Sequence, residues 1–285
     1  GSVGVARQLN KQFNLKFNVA RAFRAPSLAE LATNGAHEGT IRYEYGDQAL
    51  KSETSTQFDA GIEMNTEHVS VNFSGYLNKF DNFIFYRKLQ NIAGADSIVI
   101  KDGSALTAFG FAQQKANMAG LEANIDFHPH PLDWLHIENS FSMVTGKFSE
   151  AQDGSVNMPF IPAPRWITEI RAEFSYTNKS ISRFYTHLEI DNNFPQNRAF
   201  TGYNTETNSP AYTLLNAEMG FSFNINKQPV NIYFLANNLM DVAYQNHLSR
   251  LKYAAENPIT KRQGVFNMGR NFAIRVYVPM SWGWR

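Results

Sequence analysis

Residues Gln12–Leu31 read QFNLKFNVARAFRAPSLAEL. Phe13, Leu15, Phe17 and Val19 alternate with Asn14, Lys16 and Asn18. Successive side chains of a β-strand point to opposite faces, so one face of this segment is apolar and the other carries amides and charge. A soluble sheet turns such an apolar face to a protein core. A membrane barrel turns it to lipid and keeps the polar face for a wet lumen.

The alternation recurs along the chain. Val69, Val71, Phe73 and Leu77 oppose Ser70, Asn72 and Ser74; Leu121, Ala123, Ile125 and Phe127 oppose Glu122, Asn124 and Asp126. Leu215, Ala217, Met219, Phe221 and Phe223 oppose Asn216 and Glu218; Phe272, Ile274, Val276 and Val278 oppose Asn271, Arg275 and Tyr277. About eleven strands are predicted, over 1–9, 12–23, 54–65, 68–86, 108–128, 133–147, 164–176, 179–192, 211–224, 229–240 and 269–281. Most have the roughly 9–11 residues or more that a tilted membrane-spanning strand needs, against about 5–6 for a soluble strand.

The connections sort into two alternating sets. Short ones fall at Asn10–Lys11, Thr66–Glu67, His128–Asp133, Thr177–Ser180 and Ile225–Pro229; long ones lie near 24–53, 87–107, 148–163, 193–210 and 241–268. In an antiparallel meander every long loop then emerges at one end, as in outer-membrane barrels with short periplasmic turns and long extracellular loops. The expected fold is all-β, an antiparallel transmembrane β-barrel. Phe13, Phe17, Phe73, Phe221 and Ile274 are expected on its outer surface. Trp134, Trp282 and Phe223 are expected at the short-turn rim, and Phe83, Phe85 and Trp166 at the other.

Composition agrees. Of 285 residues 43% are hydrophobic, 14% aromatic and only 18% charged. A net charge of +1 gives no footprint for a nucleic-acid partner. With no Cys there is no disulfide, thiolate metal site or thiol nucleophile. No run of 18 or more apolar residues predicts a transmembrane helix, and barrels escape such scans because only every second residue meets lipid. G-x-S-x-G, H-E-x-x-H and a phosphate loop are all missing, so no enzyme is expected and no cofactor is implied. First and last strands run the same way if the count is odd, while single-chain bacterial barrels have even numbers. The chain is therefore expected to leave two strand edges open, at 1–9 and 269–281, as the C-terminal part of a larger barrel.

The run Ala20–Leu31, ARAFRAPSLAEL, resembles the strand-to-loop segment F-R-A-P-S-L-x-E-L of TonB-dependent outer-membrane receptors. Tyr43–Glu63 is similar to that family's E-x-G-N-P-x-L-K-P-E-x-S segment at Glu44, Gly46, Leu50, Lys51 and Glu53, and departs from it at Asp47, Gln48 and Ser52. Asn237–Tyr244, NNLMDVAY, is like its N-L-x-D-x-x-Y, and Gly269–Arg270 opens the last strand. The matches span nearly the whole chain in family order. The resemblance implies a 22-stranded barrel around an N-terminal plug, so residues 1–285 would be its C-terminal half, with plug and N-terminal strands elsewhere. It implies an outer-membrane location, contact with lipid and uptake powered through TonB. It also implies a scarce solute as ligand, a ferric siderophore or other iron complex, with a zinc or haem receptor as the alternative. HEGT (His37–Thr40) and HLSRLKYAAENP (His247–Pro258) look closer to receptors for metal or iron complexes than for vitamins. Against this stands a different class, a passive porin or structural surface barrel.

The candidate ligand-binding residues are His37, Glu38, Arg42, Tyr43 and Tyr45, within the longest loop. Arg42 with the two tyrosines suits an anionic aromatic chelate, through charge and cation–π contact. His37 and Glu38 suit a bare cation but are two ligands where zinc takes about four. Arg24, Pro26 and Glu30 are read as positioning the loop, Gly46 and Asp47 as a turn that uses positive φ at glycine, and Asn237, Asn238 and Asp241 as the strand exit. His136, His187 and Glu189 fall on the polar face, where a hydrated wall network is expected, and His128 and His130 are read as turn residues.

Overall fold

The computed structural model describes residues 1–37, 42–176, 180–225 and 228–279. Eleven long strands follow one another in a single sheet whose spatial order is their chain order. They are β1 (Ser2–Gln8), β2 (Phe13–Arg24), β5 (Glu53–Asn65), β6 (Val69–Lys88), β8 (Ser104–Phe127), β9 (Leu135–Gln152), β11 (Arg165–Ser175), β12 (Ile181–Asn193), β13 (Tyr212–Ile225), β14 (Gln228–Asn237) and β15 (Asn271–Tyr277). The sheet does not close: β1 pairs with β2 and β15 with β14, and each leaves its other edge open. Among the described residues no helix is long and apolar enough to cross a membrane, which says nothing of strands.

Among the described residues four short strands lie in the long connections: β3 (Asn34–His37), β4 (Arg42–Tyr45), β7 (Ile98–Lys101) and β10 (Ser155–Asn157). Two of them arise from tight hairpins. Asp102–Gly103 links β7 to β8 and Asp153–Gly154 links β9 to β10, and all four residues have positive φ. That is the backbone a type I′ turn requires, and Asp-Gly is among its preferred dipeptides. Strand β4 runs parallel to β8, with Arg42 opposite Thr107 and Tyr45 opposite Gly110; the other ladders are antiparallel. At about 3.3 Å per residue the 24 residues of β8 reach roughly 80 Å, far beyond the ~30 Å of a hydrocarbon core. The excess stands at the long-loop end.

Alternation divides the sheet as expected. Phe17, Phe73 and Ile274 are exposed on one face, and Phe13 and Phe221 share it. Near the short turns an aromatic row crosses this face. Trp134 stacks on Phe174 (ring centroids 4.9 Å), Phe174 on Phe184 (6.2 Å), and Phe221 lies 5.2 Å from Phe184 and 6.3 Å from Phe223. Aromatic girdles of this kind mark the membrane boundary of outer-membrane barrels, and Trp134 adds the polar N–H that suits a headgroup level. Trp282 lies outside the described residues, while Trp166 is exposed at the opposite end and packs on Phe141 (5.8 Å).

Phe83 and Phe85 depart from the expectation. The β6–β8 register shifts between Phe80 and Phe83, next to Asn82 with φ 55°. One extra residue in a strand reverses the alternation beyond it. Phe80, Phe83 and Phe85 therefore all enter the same buried cluster, with Phe148, Met158, Ile161 and the fully buried Phe200. This small core sits on the polar face at the long-loop end and fastens the loops onto the sheet. Gly46 also differs in its reason. Its φ is ordinary, and a Cβ there would meet the backbone N of Ala32 at 2.6 Å, so glycine is needed for close approach.

The loop-positioning residues form the contacts foreseen for them. Ser27 caps α1 (Leu28–Ala32): its Oγ accepts from the N–H of Glu30 at 3.2 Å, and the Glu30 carboxylate accepts from the N–H of Ser27 at 2.7 Å. Arg24 donates to both Glu30 oxygens at 2.8 and 3.0 Å and reaches Glu53 at 3.3 Å. These bonds hold the Glu30 carboxyl below the usual range against the opposing effect of its burial. At the strand exit, Asn238 exchanges hydrogen bonds with the backbone of Val242 at 2.9 Å, and Asp241 accepts from the N–H of Arg270 at 2.8 Å.

Candidate ligand site at the long-loop end

Five connections converge above the loop core. β4 brings Arg42 beside Tyr86 of β6 and Phe109 of β8; its guanidinium carbon lies 4.3 and 5.3 Å from the two ring centroids. Phe160 follows β10 and stacks on Tyr86 at 4.8 Å. From the last long loop Arg250 lies over Phe160 at 3.4 Å and donates to the Tyr86 hydroxyl. A pair of aromatic rings thus has a guanidinium on each side. The arrangement borders a cavity of about 440 Å³, lined among others by Arg42, Lys88, Asp96, Phe109, Arg250 and Tyr253.

The charges in it are unequally paired. Arg42 pairs with Glu44, and Lys88 with Asp96 at 2.8 Å. Arg250 has no carboxylate within ion-pair distance among the described residues, and burial, its largest influence, pulls its pKa down. A half-buried cation of this kind gains from an incoming anion, and aromatic faces add stacking area.

Below this cavity the loops 193–210 and 241–268 are locked by a buried polar cluster. The Ser209 hydroxyl lies 2.9 Å from His247 Nδ1, and Lys252 Nζ donates to Ser209 Oγ at 3.1 Å and to the Thr207 carbonyl at 3.3 Å. The second carboxylate oxygen of Glu206 accepts from the N–H groups of Phe160 (2.9 Å) and Phe200 (3.3 Å), while its first lies 3.7 Å from His247 Nε2. Burial pushes Glu206 up, and burial with Lys252 and Arg250 lowers His247 to about 4.

Of the residues selected by sequence, Arg42 lines the cavity. Tyr43 and Tyr45 occupy the alternate positions of β4; their rings lie 4.9 Å apart and the Tyr43 hydroxyl donates to Asn34 Oδ1 at 2.9 Å. His37 ends β3, in register with Arg42. Glu38 lies outside the described residues. Tyr86, Phe109, Phe160 and Arg250 were not foreseen. They come from separate segments of the chain, and no local signal in the sequence joins those segments.

A family model described as "TonB dependent receptor-like, beta-barrel" matches residues 1–239. Among solved structures, the copper transporter OprC is similar with a TM-score of 0.71 and 18% identity, over 96% of this chain and 38% of that one. The ferric yersiniabactin uptake receptor FyuA from Yersinia pestis gives 0.63 and 13%, over 96% and 36%. A mutant of the ferric enterobactin receptor PfeA from Pseudomonas aeruginosa gives 0.59 and 18%, over 96% and 39%. The chain spans about two-fifths of the length of these structures, and at such identities the likeness is one of fold.

Proposed function

The chain belongs to the TonB-dependent receptor β-barrel family, whose members are bacterial outer-membrane transporters, and on that premise we propose that it is part of a receptor for an anionic iron chelate of the ferric-siderophore class. The observation that carries this reading is the Arg42–Tyr86–Phe160–Arg250 stack beside its cavity. An anionic, aromatic chelate offers both the charge that Arg250 lacks and rings to lie against Phe109 and Tyr253, which line the cavity.

Residues 1–285 would supply the C-terminal half of the barrel, with a plug and further strands completing it; the two open sheet edges support this. Uptake would be powered by contact between the plug region and TonB. His37, Glu38, Tyr43 and Tyr45 would extend the binding surface from the same loop as Arg42.

Calorimetry on the full-length receptor tests the reading, with a ferric catecholate and Zn²⁺ as separate titrants. For the chelate, Arg250→Ala should cost roughly 1.5–3 kcal/mol of binding, the range for a charged hydrogen bond, and Arg42→Ala somewhat less because Glu44 already pairs with it. His37→Ala should then matter little. Zinc binding that collapses with His37→Ala, while the chelate does not bind, would replace this reading with metal-ion uptake.

A further inference from the structure

At the opposite end of the sheet, beside the short turns, three groups meet on the polar face. Asp126 is the last residue but one of β8, and His128, one residue past the strand, turns its imidazole to within 3.4 Å of the Asp126 carboxylate; His136, early in β9, lies across from them. Asp126 and the two imidazoles each offer a ligand atom, and these lie within 4.8 Å of one another. We propose that Asp126, His128 and His136 bind a first-row divalent transition cation of the Zn²⁺ type on the inner wall, independently of the long-loop cavity.

The distances suit a shared ion. His136 Nδ1 is 3.2 Å from both Asp126 carboxylate oxygens, a hydrogen bond, and His128 Nδ1 is 3.4 Å from one of them. Around a tetrahedral ion with bonds of about 2.0–2.1 Å, neighbouring ligand atoms stand about 3.3 Å apart. His128 Nδ1 is moreover buried without a hydrogen-bond partner among the described residues. One carboxylate and two imidazoles make a donor set suited to zinc, nickel or copper, and three protein ligands leave a position for water or an exchanging group.

The surroundings favour a cation as well. Asp126 opens on a groove of about 350 Å³ also lined by Glu63, Glu138 and Glu169. Glu63 and Glu138 are paired with Lys16 and Arg171, whereas the partners of Asp126 are imidazoles. Two of the ligands stand on paired strands, Asp126 in register with Glu138 and His136 with Arg171, and His128, one residue past β8, is held by a hydrogen bond from its N–H to the His68 carbonyl at 2.9 Å. A site on paired strands is better preorganised than one on loops.

The test is titration of Zn²⁺ into the chelator-stripped full-length receptor in detergent, with pulsed EPR on the Cu²⁺-loaded wild type. The expected result is one equivalent bound, weakened at least tenfold by each of His128→Ala, His136→Ala and Asp126→Asn. His130→Ala, an exposed neighbour that pairs with Asp133 instead, should leave binding unchanged. EPR should count two imidazole nitrogens, a readout that needs no variant to fold. No binding at millimolar Zn²⁺, full affinity in the His128→Ala/His136→Ala double variant, or a signal from fewer than two imidazoles would each overturn the assignment. None of these outcomes bears on chelate binding at the other end.

Discussion

Lowering the pH from 7.5 to 4.5 should release the two long loops that His247 holds together. The imidazole is almost fully buried, and Lys252 and Arg250 stand against its charged form, so its folded-state value is about 4 against 6.5 in an open loop. The open state then binds the proton more readily. The locked state has its full stability above about pH 6.5 and loses it as the pH falls towards 4. The fall from 6.5 to about 4, at about 1.4 kcal/mol per pH unit, gives a ceiling of about 3.5 kcal/mol. Glu206 acts with the opposite sign, because burial raises its value and a proton is taken up more readily in the locked state. The net loss should accordingly fall below that ceiling. Hydrogen exchange of peptides from 193–210 and 241–268 in the detergent-solubilised receptor, corrected for intrinsic rates, measures the opening free energy directly. His247→Phe should flatten the pH dependence. Protection that stays constant from pH 7.5 to 4.5, or a slope that survives His247→Phe, would refute the linkage.

Phe73→Arg on the lipid face should cost roughly 2–4 kcal/mol of folding into bilayers if the residue lies near the midplane, while Asn72→Arg on the polar face should be tolerated; equal costs in urea titrations of the full-length receptor would put the wrong face outward. Phe200→Ala should loosen the loop core by roughly 3–5 kcal/mol, seen as faster exchange in 148–163 and 193–210 with the strand ladders unaffected, because Phe200 is fully buried among Phe85, Phe148 and Met158.

The strand pattern was legible because lipid and lumen impose opposite demands on alternate residues. From Phe13 to Val19 and from Leu215 to Phe223 nothing else competes with that period. It failed where one residue was inserted. The shift at Phe80/Phe83 leaves no mark in composition, yet it turns Phe83 and Phe85 from a rim belt into the loop core. The ligand cavity was half legible. Arg42 stood out beside two tyrosines, but Tyr86, Phe160 and Arg250 come from segments far apart in the chain, and only the converging loops join them. His128 looked like part of a turn because Pro129 and Pro131 follow it. The structure places it there, one residue past β8, with its imidazole nonetheless on the side of Asp126.

The open rims of the sheet bear on how such a wall can be put into a membrane. β1 and β15 each run for seven residues with one side unmatched, so alternate peptide groups on each would face hydrocarbon. Each unmatched group costs several kcal/mol there, and the sum for two rims exceeds the whole net stability of an ordinary domain. Residues 1–285 by themselves would therefore not rest in a bilayer with both rims bare. The further strands proposed above would remove that cost by pairing with β1 and β15.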